Sequence, residues 1–372
     1  MRVLQLVKTS VGAEWALQQM RDLLKDGFEV HVAMPIGGRY TESYYASGIQ
    51  VHDIQYSLKR PYKTIRSLRR IVDEVKPDVI HSHFYLTTLI MRMALRKDST
   101  PRLYQLPGPT SLFKIPTTIE LCLAQKKDYW AGACRASCQA YIDRGISENR
   151  VFLAYYQGTP LEDVVFAKDE KKLRHELGLP DDALMVGMVS YMYAPRWYIG
   201  EKNGIKGHED FIDAIAIASK ANPHIYGLCI GGAWNGAVKY EQKLKEYAKK
   251  KTDHVIFCGT RTNVPEIYPE LATAVQPSHQ ENLGGAGQAF KYGCPIVSTN
   301  VGGLPDIVHD GVTGFLVNPN APQELADAIL KMVSDPVKAH EMMLAGREYY
   351  MKLKNDNKGV INRIYNDITT RK

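Results

Sequence analysis

No stretch of this 372-residue sequence approaches the ~20 uninterrupted apolar residues that a membrane-spanning helix needs. The first apolar run, Val3–Val7, is too short for a secretory signal. Cysteine is scarce: six in the whole sequence, the closest pair being Cys134 and Cys138, with no His or Cys partner nearby. That excludes a disulfide framework and reads as reduced, core-filling cysteines of a cytoplasmic protein. There is no fixed-period repeat and no low-complexity tract. Disorder is excluded as well, because 45% of the residues are hydrophobic and only 23% charged.

Strand and helix signals alternate throughout. Val3–Val7, Val30–Met34, Asp78–Ser82 and Leu103–Leu106 are short apolar runs of buried-strand character. Between them, Trp15, Ala16, Met20, Leu23 and Leu24, and then Ile65, Leu68, Ile71, Val72 and Val75, recur at helical spacing. The pattern restarts after a polar stretch at Asp163–Lys172. Leu184–Val189, Ile225–Ile230, Val255–Cys258, Ala272–Gln276 and Pro295–Thr299 read as strands, and Lys206-Gly207-His208-Glu209 opens a helix to about Ala221. This predicts two doubly wound α/β domains, 1–165 and 173–348, with a cleft between them, each binding ligands beyond the carboxyl ends of its strands.

Charge is unevenly placed. Residues 1–165 carry 22 basic and 16 acidic side chains, the remainder 25 and 24. The densest basic run is Lys59, Arg60, Lys63, Arg66, Arg69 and Arg70, with no acid among them. A solvated helix face and an anionic membrane surface are both consistent with it. Nucleic acid is not expected, because the run holds a single aromatic, Tyr62, and no binding motif accompanies it.

Residues 276–319, QPSHQENLGGAGQAFKYGCPIVSTNVGGLPDIVHDGVTGFLVNP, carry the most chemistry. A strand runs into Pro277-Ser278, a loop acid follows at Glu281, and Gly284-Gly285-Ala286-Gly287 opens a helix. Bare amides at a helix start suit a phosphate or diphosphate. Close packing explains a glycine run equally well.

The order Pro277, Ser278, Glu281, Gly284, then Gly293, Pro295, Ile296, Val297, then Gly302, Gly303, Asp306, Ile307, Val308, then Asp310, Gly311, Thr313, Gly314 resembles the donor-site signature of retaining GT-B glycosyltransferases of family 4. The resemblance implies two Rossmann-like domains facing a central cleft, 1–165 on the acceptor side and 173–348 binding the nucleotide-sugar donor, with a last helix (about 349–372) returning to the N-terminal domain. It implies transfer of a hexose or N-acetylhexosamine from a nucleotide diphosphate sugar, UDP favoured on family frequency. The acceptor would be a glycan, lipid-linked or small molecule in polysaccharide or glycoconjugate synthesis. No metal and no further cofactor is expected; Asp181-Asp182 precedes a strand and does not form a DxD loop.

The resemblance also assigns roles. Lys206 would neutralise the diphosphate, helped by the backbone of Asn282, Leu283, Gly284, Gly285 and Ala286, and Glu281 would hold the donor sugar's hydroxyls. Gly259, Thr260 and Arg261 stand where the nucleobase is held. Two departures stand out. The second acid of the pattern is Gln288, and the usual arginine after the first strand of the second domain is replaced by Ser190-Tyr191-Met192. Arg196 or Lys202, in an insertion at Ala194–Asn203, would supply the missing cation. In the first domain Gly12 and Ala13 match a small-residue turn facing the diphosphate and acceptor. His81 and His83 share one face of a strand, and His83 is the candidate to line the site; a purely structural histidine is the competing reading. Pro107 stands where many relatives place a histidine. The expected location is cytoplasmic, with peripheral attachment at the inner membrane face through Lys59–Arg70 as an option. The alternatives are a non-catalytic nucleotide-sugar-binding subunit and another GT-B enzyme such as an epimerase or phosphorylase.

Overall fold

The computed structural model describes residues 1–106, 114–156, 172–196 and 200–371. Pro107, the stretch 163–171 and part of the 194–203 insertion therefore lie outside the described residues. The chain forms two compact units, Met1–Pro160 with Lys354–Lys372 (unit 1) and Leu161–Leu353 (unit 2).

Unit 1 is built on a seven-stranded sheet of β1 (Arg2–Leu6), β2 (Glu29–Met34), β3 (Gln50–Asp53), β4 (Val79–Ser82), β5 (Arg102–Leu106), β6 (Asp128–Gly132) and β7 (Val151–Leu153). The order is β3-β2-β1-β4-β5-β6-β7 and every pairing is parallel. Alternation sends β1 side chains to both faces: Val3 and Val7 join one core cluster, Leu4 and Leu6 the other. The helix Pro61–Val75 covers the second cluster with Leu68, Ile71, Val72 and Val75.

Unit 2 repeats the scheme with six strands: β8 (Leu184–Val189), β9 (Ile225–Ile230), β10 (Val255–Gly259), β11 (Thr273–Gln276), β12 (Ile296–Thr299) and β13 (Phe315–Val317). Its order is β10-β9-β8-β11-β12-β13, again all parallel. Each sheet therefore reverses its winding beside its first strand, between β1 and β4 and between β8 and β11. The crevices at those two points are where such sheets take ligands. No helix among the described residues is long and apolar enough to cross a membrane.

Two features differ from the sequence expectation. The final helix is two helices, Pro336–Asp356 and Val360–Thr370, separated by a turn in which Gly359 takes φ 65° and caps the second. Ile361, Ile364, Tyr365 and Ile368 of that second helix are buried in the unit 1 core. The strand β6 was not anticipated, because it begins with a charge. Asp128 is nevertheless fully buried, in a cluster with Arg92 (3.3 Å), Arg102 (2.6 Å) and, through Arg92, Glu120. Two cations and two anions cancel there, which is the arrangement that makes buried charge tolerable.

Candidate functional site

In unit 2 the chain leaving β8 returns to the sheet through Lys206 and starts the helix His208–Ala221. Gly207 caps that helix at φ 75°, and a Cβ there would lie 2.0 Å from the Pro277 carbonyl oxygen. Only glycine allows this approach, which brings the loops after β8 and β11 together. The His279 amide donates to the Ile205 carbonyl (2.9 Å), and the His279 ring meets Asp210 at 2.7 Å. These contacts tie the same two loops.

Lys206 and Glu281 consequently meet as an ion pair, with side chains only 20% and 12% exposed. The Glu281 carboxylate is held from several sides. Gln276 Nε2 (3.1 Å) and Ser278 Oγ (3.4 Å) donate to Oε2, and the Asn282 amide (3.1 Å) donates to Oε1. Gln276 and Ser278 are buried, and Gln276 also donates to Ser278 (2.8 Å). From below, Gly302 (φ 57°) lies where a Cβ would be 1.9 Å from the Glu281 carbonyl oxygen, and the Gly303 amide donates to that oxygen (3.1 Å). The glycine pair of the motif thus seats Glu281 through its backbone. The Asp310–Gly314 turn closes on itself, with the Gly311 amide bonded to the Gly314 carbonyl and the His309 amide to Thr313 Oγ1 (2.7 Å).

The helix Gly284–Lys291 begins beside the pair. Its first intrahelical bond runs from the Gly287 amide to the Leu283 carbonyl (2.9 Å), so the amides of Gly284, Gly285 and Ala286 precede it. Gly285 packs against Gln276, so close packing and an amide-lined helix start coexist here. Gln288, one turn on from Gly284, is exposed and 3.5 Å from the Tyr268 hydroxyl. The region therefore joins a lysine, a fixed carboxylate and a positive helix end at the switch point of the sheet.

The other predicted residues of unit 2 are placed as follows. Gly259 ends β10 at φ 65°, and Thr260 beside it is exposed. Arg261 pairs with Glu176 (2.6 Å) and donates to the Cys258 carbonyl (3.0 Å). Arg196 is bound to Glu201 by its amide (2.7 Å) and its guanidinium (3.1 Å). Burial would raise the Glu201 carboxyl, but Arg196 outweighs it and holds the carboxyl below its usual range. Lys202 is exposed. Among the described residues no cluster of His, Cys, Asp or Glu is arranged to hold a metal.

In unit 1 the turn after β1 places Gly12 half-buried and Ala13 at φ 66°, capping the helix Glu14–Lys25. His81 and His83 share a face, as alternation predicts, with ring centroids 4.1 Å apart. Both are fully buried. Gln5, on β1, donates its amide to the Tyr365 hydroxyl (2.9 Å) and turns its carbonyl oxygen to His83 Nε2 (2.7 Å). The Tyr365 proton then goes to His81 Nδ1 (2.6 Å), and His83 carries its own proton on Nε2. His83 Nδ1 and the Gln105 carbonyl share the Tyr156 hydroxyl, both at 3.1 Å. Trp15 packs across His83, Phe84 and Tyr156. Burial keeps both imidazoles neutral, lowering His83 to about 3 and holding His81 well below its ordinary value, with the neighbouring His83 adding to the effect.

Sequence reasoning missed Gln5, Tyr156 and Tyr365, which act across up to 360 residues of chain and leave no local signal. Gln276 and Ser278 were inside the motif, and their burial at the end of β11 is what gives them a role.

The comparisons with known proteins bear on the family and the fold. A family model for glycosyl transferases group 1 matches residues 197–335, and one for glycosyl transferase 4-like proteins matches residues 3–138. The D-inositol 3-phosphate glycosyltransferase of Stackebrandtia nassauensis is 25% identical over 69% of this chain and 60% of its own length. The same enzyme of Acidothermus cellulolyticus is 25% identical over 75% and 64%. This chain thus spans less than two thirds of those relatives. A solved structure of Anabaena HepE in complex with UDP superposes with a TM-score of 0.81 at 20% identity, covering 99% of this chain and 100% of that one. TarM superposes at 0.75 with 12% identity, over 100% and 99%.

Proposed function

The chain belongs to the GT-B glycosyltransferases of the family 4 type, and from that premise we propose that it moves a hexose or N-acetylhexosamine from a nucleoside diphosphate sugar with retention at the anomeric carbon. The observation that carries the reading is the Lys206–Glu281 pair beside the start of the helix Gly284–Lys291, at the switch point of unit 2. Solved relatives of the same fold hold UDP and UDP-glucose, which favours a UDP sugar.

The chemistry follows from charge. As the glycosidic bond to the diphosphate breaks, negative charge grows on the leaving oxygen and positive charge on the sugar. Lys206 and the amides of Gly284–Ala286, which precede the first intrahelical bond, would stabilise the leaving group there. In the unliganded site Glu281 holds Lys206 in position. An incoming diphosphate competes for the lysine and leaves the Glu281 carboxylate to accept hydrogen bonds from the sugar hydroxyls. Gln288 offers an uncharged partner to the ribose, weaker than a carboxylate. The backbone at Gly259 and Thr260 takes the base. His83, neutral and held by Gln5, stiffens the strand end of unit 1 beside the Gly12-Ala13 turn. Lys206 supplies the cation, so chelation with EDTA should leave turnover unchanged.

Nucleotide-induced thermal stabilisation tests the reading directly. UDP, GDP, ADP and CMP are added to the wild type, Lys206→Ala and Glu281→Ala. A ligand that binds the folded state raises the midpoint with its concentration. One diphosphate should stabilise the wild type and Glu281→Ala but not Lys206→Ala. Transfer from the matching sugar nucleotide should fall about 10²–10³-fold in both variants. Stabilisation without transfer to any acceptor would favour the non-catalytic subunit, and turnover of the donor without an acceptor would favour an epimerase. No response to any nucleotide would remove the donor-site assignment.

The acceptor is proposed to be a glycan or a lipid-linked molecule. For the lipid-linked case the helix Pro61–Val75 offers a contact: Leu58 and Tyr62 are 52% and 66% exposed among Lys59, Arg60, Lys63 and Arg66. Apolar side chains beside cations suit an anionic bilayer at the cytoplasmic face. Co-sedimentation with phosphatidylglycerol vesicles, but not phosphatidylcholine vesicles, is expected, and equal recovery with both would discard it.

A further inference from the structure

Unit 2 contains a cavity of about 650 Å³ that the donor site does not use. It is lined by the helix His208–Ala221, by the helix Val238–Lys251, and by Ala194, Pro195 and Glu201–Asn203 of the insertion. Tyr240, Leu244 and Tyr247 give it apolar and aromatic surface. The volume is that of an ordinary small-molecule site. None of Lys206, Glu281 and the Gly284–Ala286 backbone lines it, whereas Lys202 does.

Four carboxyl groups and three lysines line this cavity, and they are not paired with one another. Asp213 accepts from the Tyr247 hydroxyl (2.8 Å) and pairs with Lys251 (2.8 Å). Asp210 meets the His279 ring (2.7 Å), and Glu201 is bound by Arg196. Glu209 accepts from the Tyr240 hydroxyl (2.8 Å), and burial raises its carboxyl towards the neutral form. The acids are thus partnered or short of charge. Lys202, Lys239 and Lys243 are exposed, and among the described residues none of them has an ion-pair or hydrogen-bond partner. The helix that carries Lys239 and Lys243 does pair its Lys245, with Glu241 (2.7 Å). Lys239 and Lys243 stand one turn apart, a spacing at which like charges repel.

We propose that this cavity binds a hydroxyl-rich anion, a sugar bearing a phosphate or a carboxylate, at a site separate from the donor crevice. The three unopposed ammonium groups take the anionic group. Glu201 and Asp213 keep lone pairs beyond those their present partners use, and sugar hydroxyls can donate to them. The tyrosine and leucine surface accepts the C–H face of the ring. A bare anion would use only the lysines, and a neutral sugar would leave them unopposed. The inference stands on the cavity's own charges and does not depend on the glycosyltransferase reading.

The test is a calorimetric titration of the full-length protein with glucose 6-phosphate, glucuronate, glucose and inorganic phosphate. It is run on the wild type, on the double variant Lys239→Gln/Lys243→Gln, and on Lys206→Ala. Both lysines of the double variant are exposed, so its melting midpoint without ligand should match the wild type. At least one acidic sugar should bind the wild type and Lys206→Ala equally, and bind the double variant roughly tenfold more weakly. It should also bind more tightly than glucose and than inorganic phosphate. Which of the two sugars binds identifies the acidic group. If neither binds the wild type, or the double variant binds as the wild type does, the site is refuted. Loss of binding in Lys206→Ala would place the ligand in the donor crevice and refute it as well. Equal binding of inorganic phosphate would mean that the lysines attract any anion, and equal binding of glucose that they play no part; either result overturns the assignment.

Discussion

In unit 1 the helix after the first strand is capped by Ala13 at φ 66°, and in unit 2 by Gly207 at φ 75°. The strand next across the switch point leads to His83 in one unit and to Glu281 in the other. The positions correspond, because the first six strands of unit 1 follow the same order as the six of unit 2, yet their contents are opposite. Unit 1 fills the place with neutral imidazoles, amides and tyrosine hydroxyls that are buried and satisfied almost entirely by one another. Unit 2 fills it with an ion pair that water still reaches. The same topology supplies the same location, and the residues decide whether it becomes a rigid wall or a charged receptor. A diphosphate needs the second kind.

The contrast is broken most severely at Gly207. Gly207→Ala places a methyl group against the Pro277 carbonyl and forces a left-handed alanine. The expected loss is about 2–4 kcal/mol, with nucleotide-induced stabilisation lost as the two loops part. Urea unfolding and a UDP titration would measure both. An unchanged unfolding midpoint would mean that the loops are not clamped there.

Acid separates the units next. Histidines that are neutral when folded but free to protonate when unfolded stabilise the fold fully above pH ~6.5. As pH falls below that, the unfolded state gains protons that the folded state refuses, so stability declines by about 1.4 kcal/mol per pH unit for each such group until the folded pKa is reached. His83 in unit 1 and His208 in unit 2 are both lowered to about 3 by burial, and His81 is lowered too. Unfolding free energy should be level from pH 7 to 8 and fall steeply from 6 to 4. His83→Gln should remove one histidine's share of the slope; an identical slope in the variant would show that His83 does not stay neutral.

Removing the Tyr365 hydroxyl takes a donor from His81 and an acceptor from Gln5. Tyr365→Phe should cost about 1–2 kcal/mol and leave nucleotide binding in unit 2 untouched, which differential scanning with and without UDP would reveal. The smallest effect has the opposite sign. Ala13→Gly relieves a left-handed alanine and should raise stability by about 0.5–1 kcal/mol, seen as a higher denaturant midpoint. A lower midpoint would mean that the Ala13 methyl packs more usefully than its backbone strain costs.

Much of this organisation was legible in the sequence, for identifiable reasons. Leu184–Val189 and Ile225–Ile230 coincide with β8 and β9, because a strand buried on both faces is a continuous apolar run. Glu281, Lys206 and the helix start at Gly284 were visible as a motif of fixed spacing. Their pairing across 75 residues was not, because it depends on how closely Gly207 lets two loops approach. The strand at Asp128–Gly132 was hidden by a charge whose partners, Arg92 and Arg102, lie on other elements. Alternation correctly put His81 and His83 on one face. What filled that face was Tyr365, 284 residues from His81.

That last contact bears on the order in which the molecule takes shape during synthesis. Unit 2 is one unbroken segment of chain, whereas unit 1 is assembled from residues 1–160 and 354–372. A ribosome delivers the whole of unit 2 while unit 1 still lacks Ile361, Ile364, Tyr365 and Ile368, and with them the partners of Gln5 and His81. The half of the protein made first is thus the half completed last. Until translation passes Ile368, the seven-stranded sheet waits with part of one apolar face uncovered and open to chaperones and proteases.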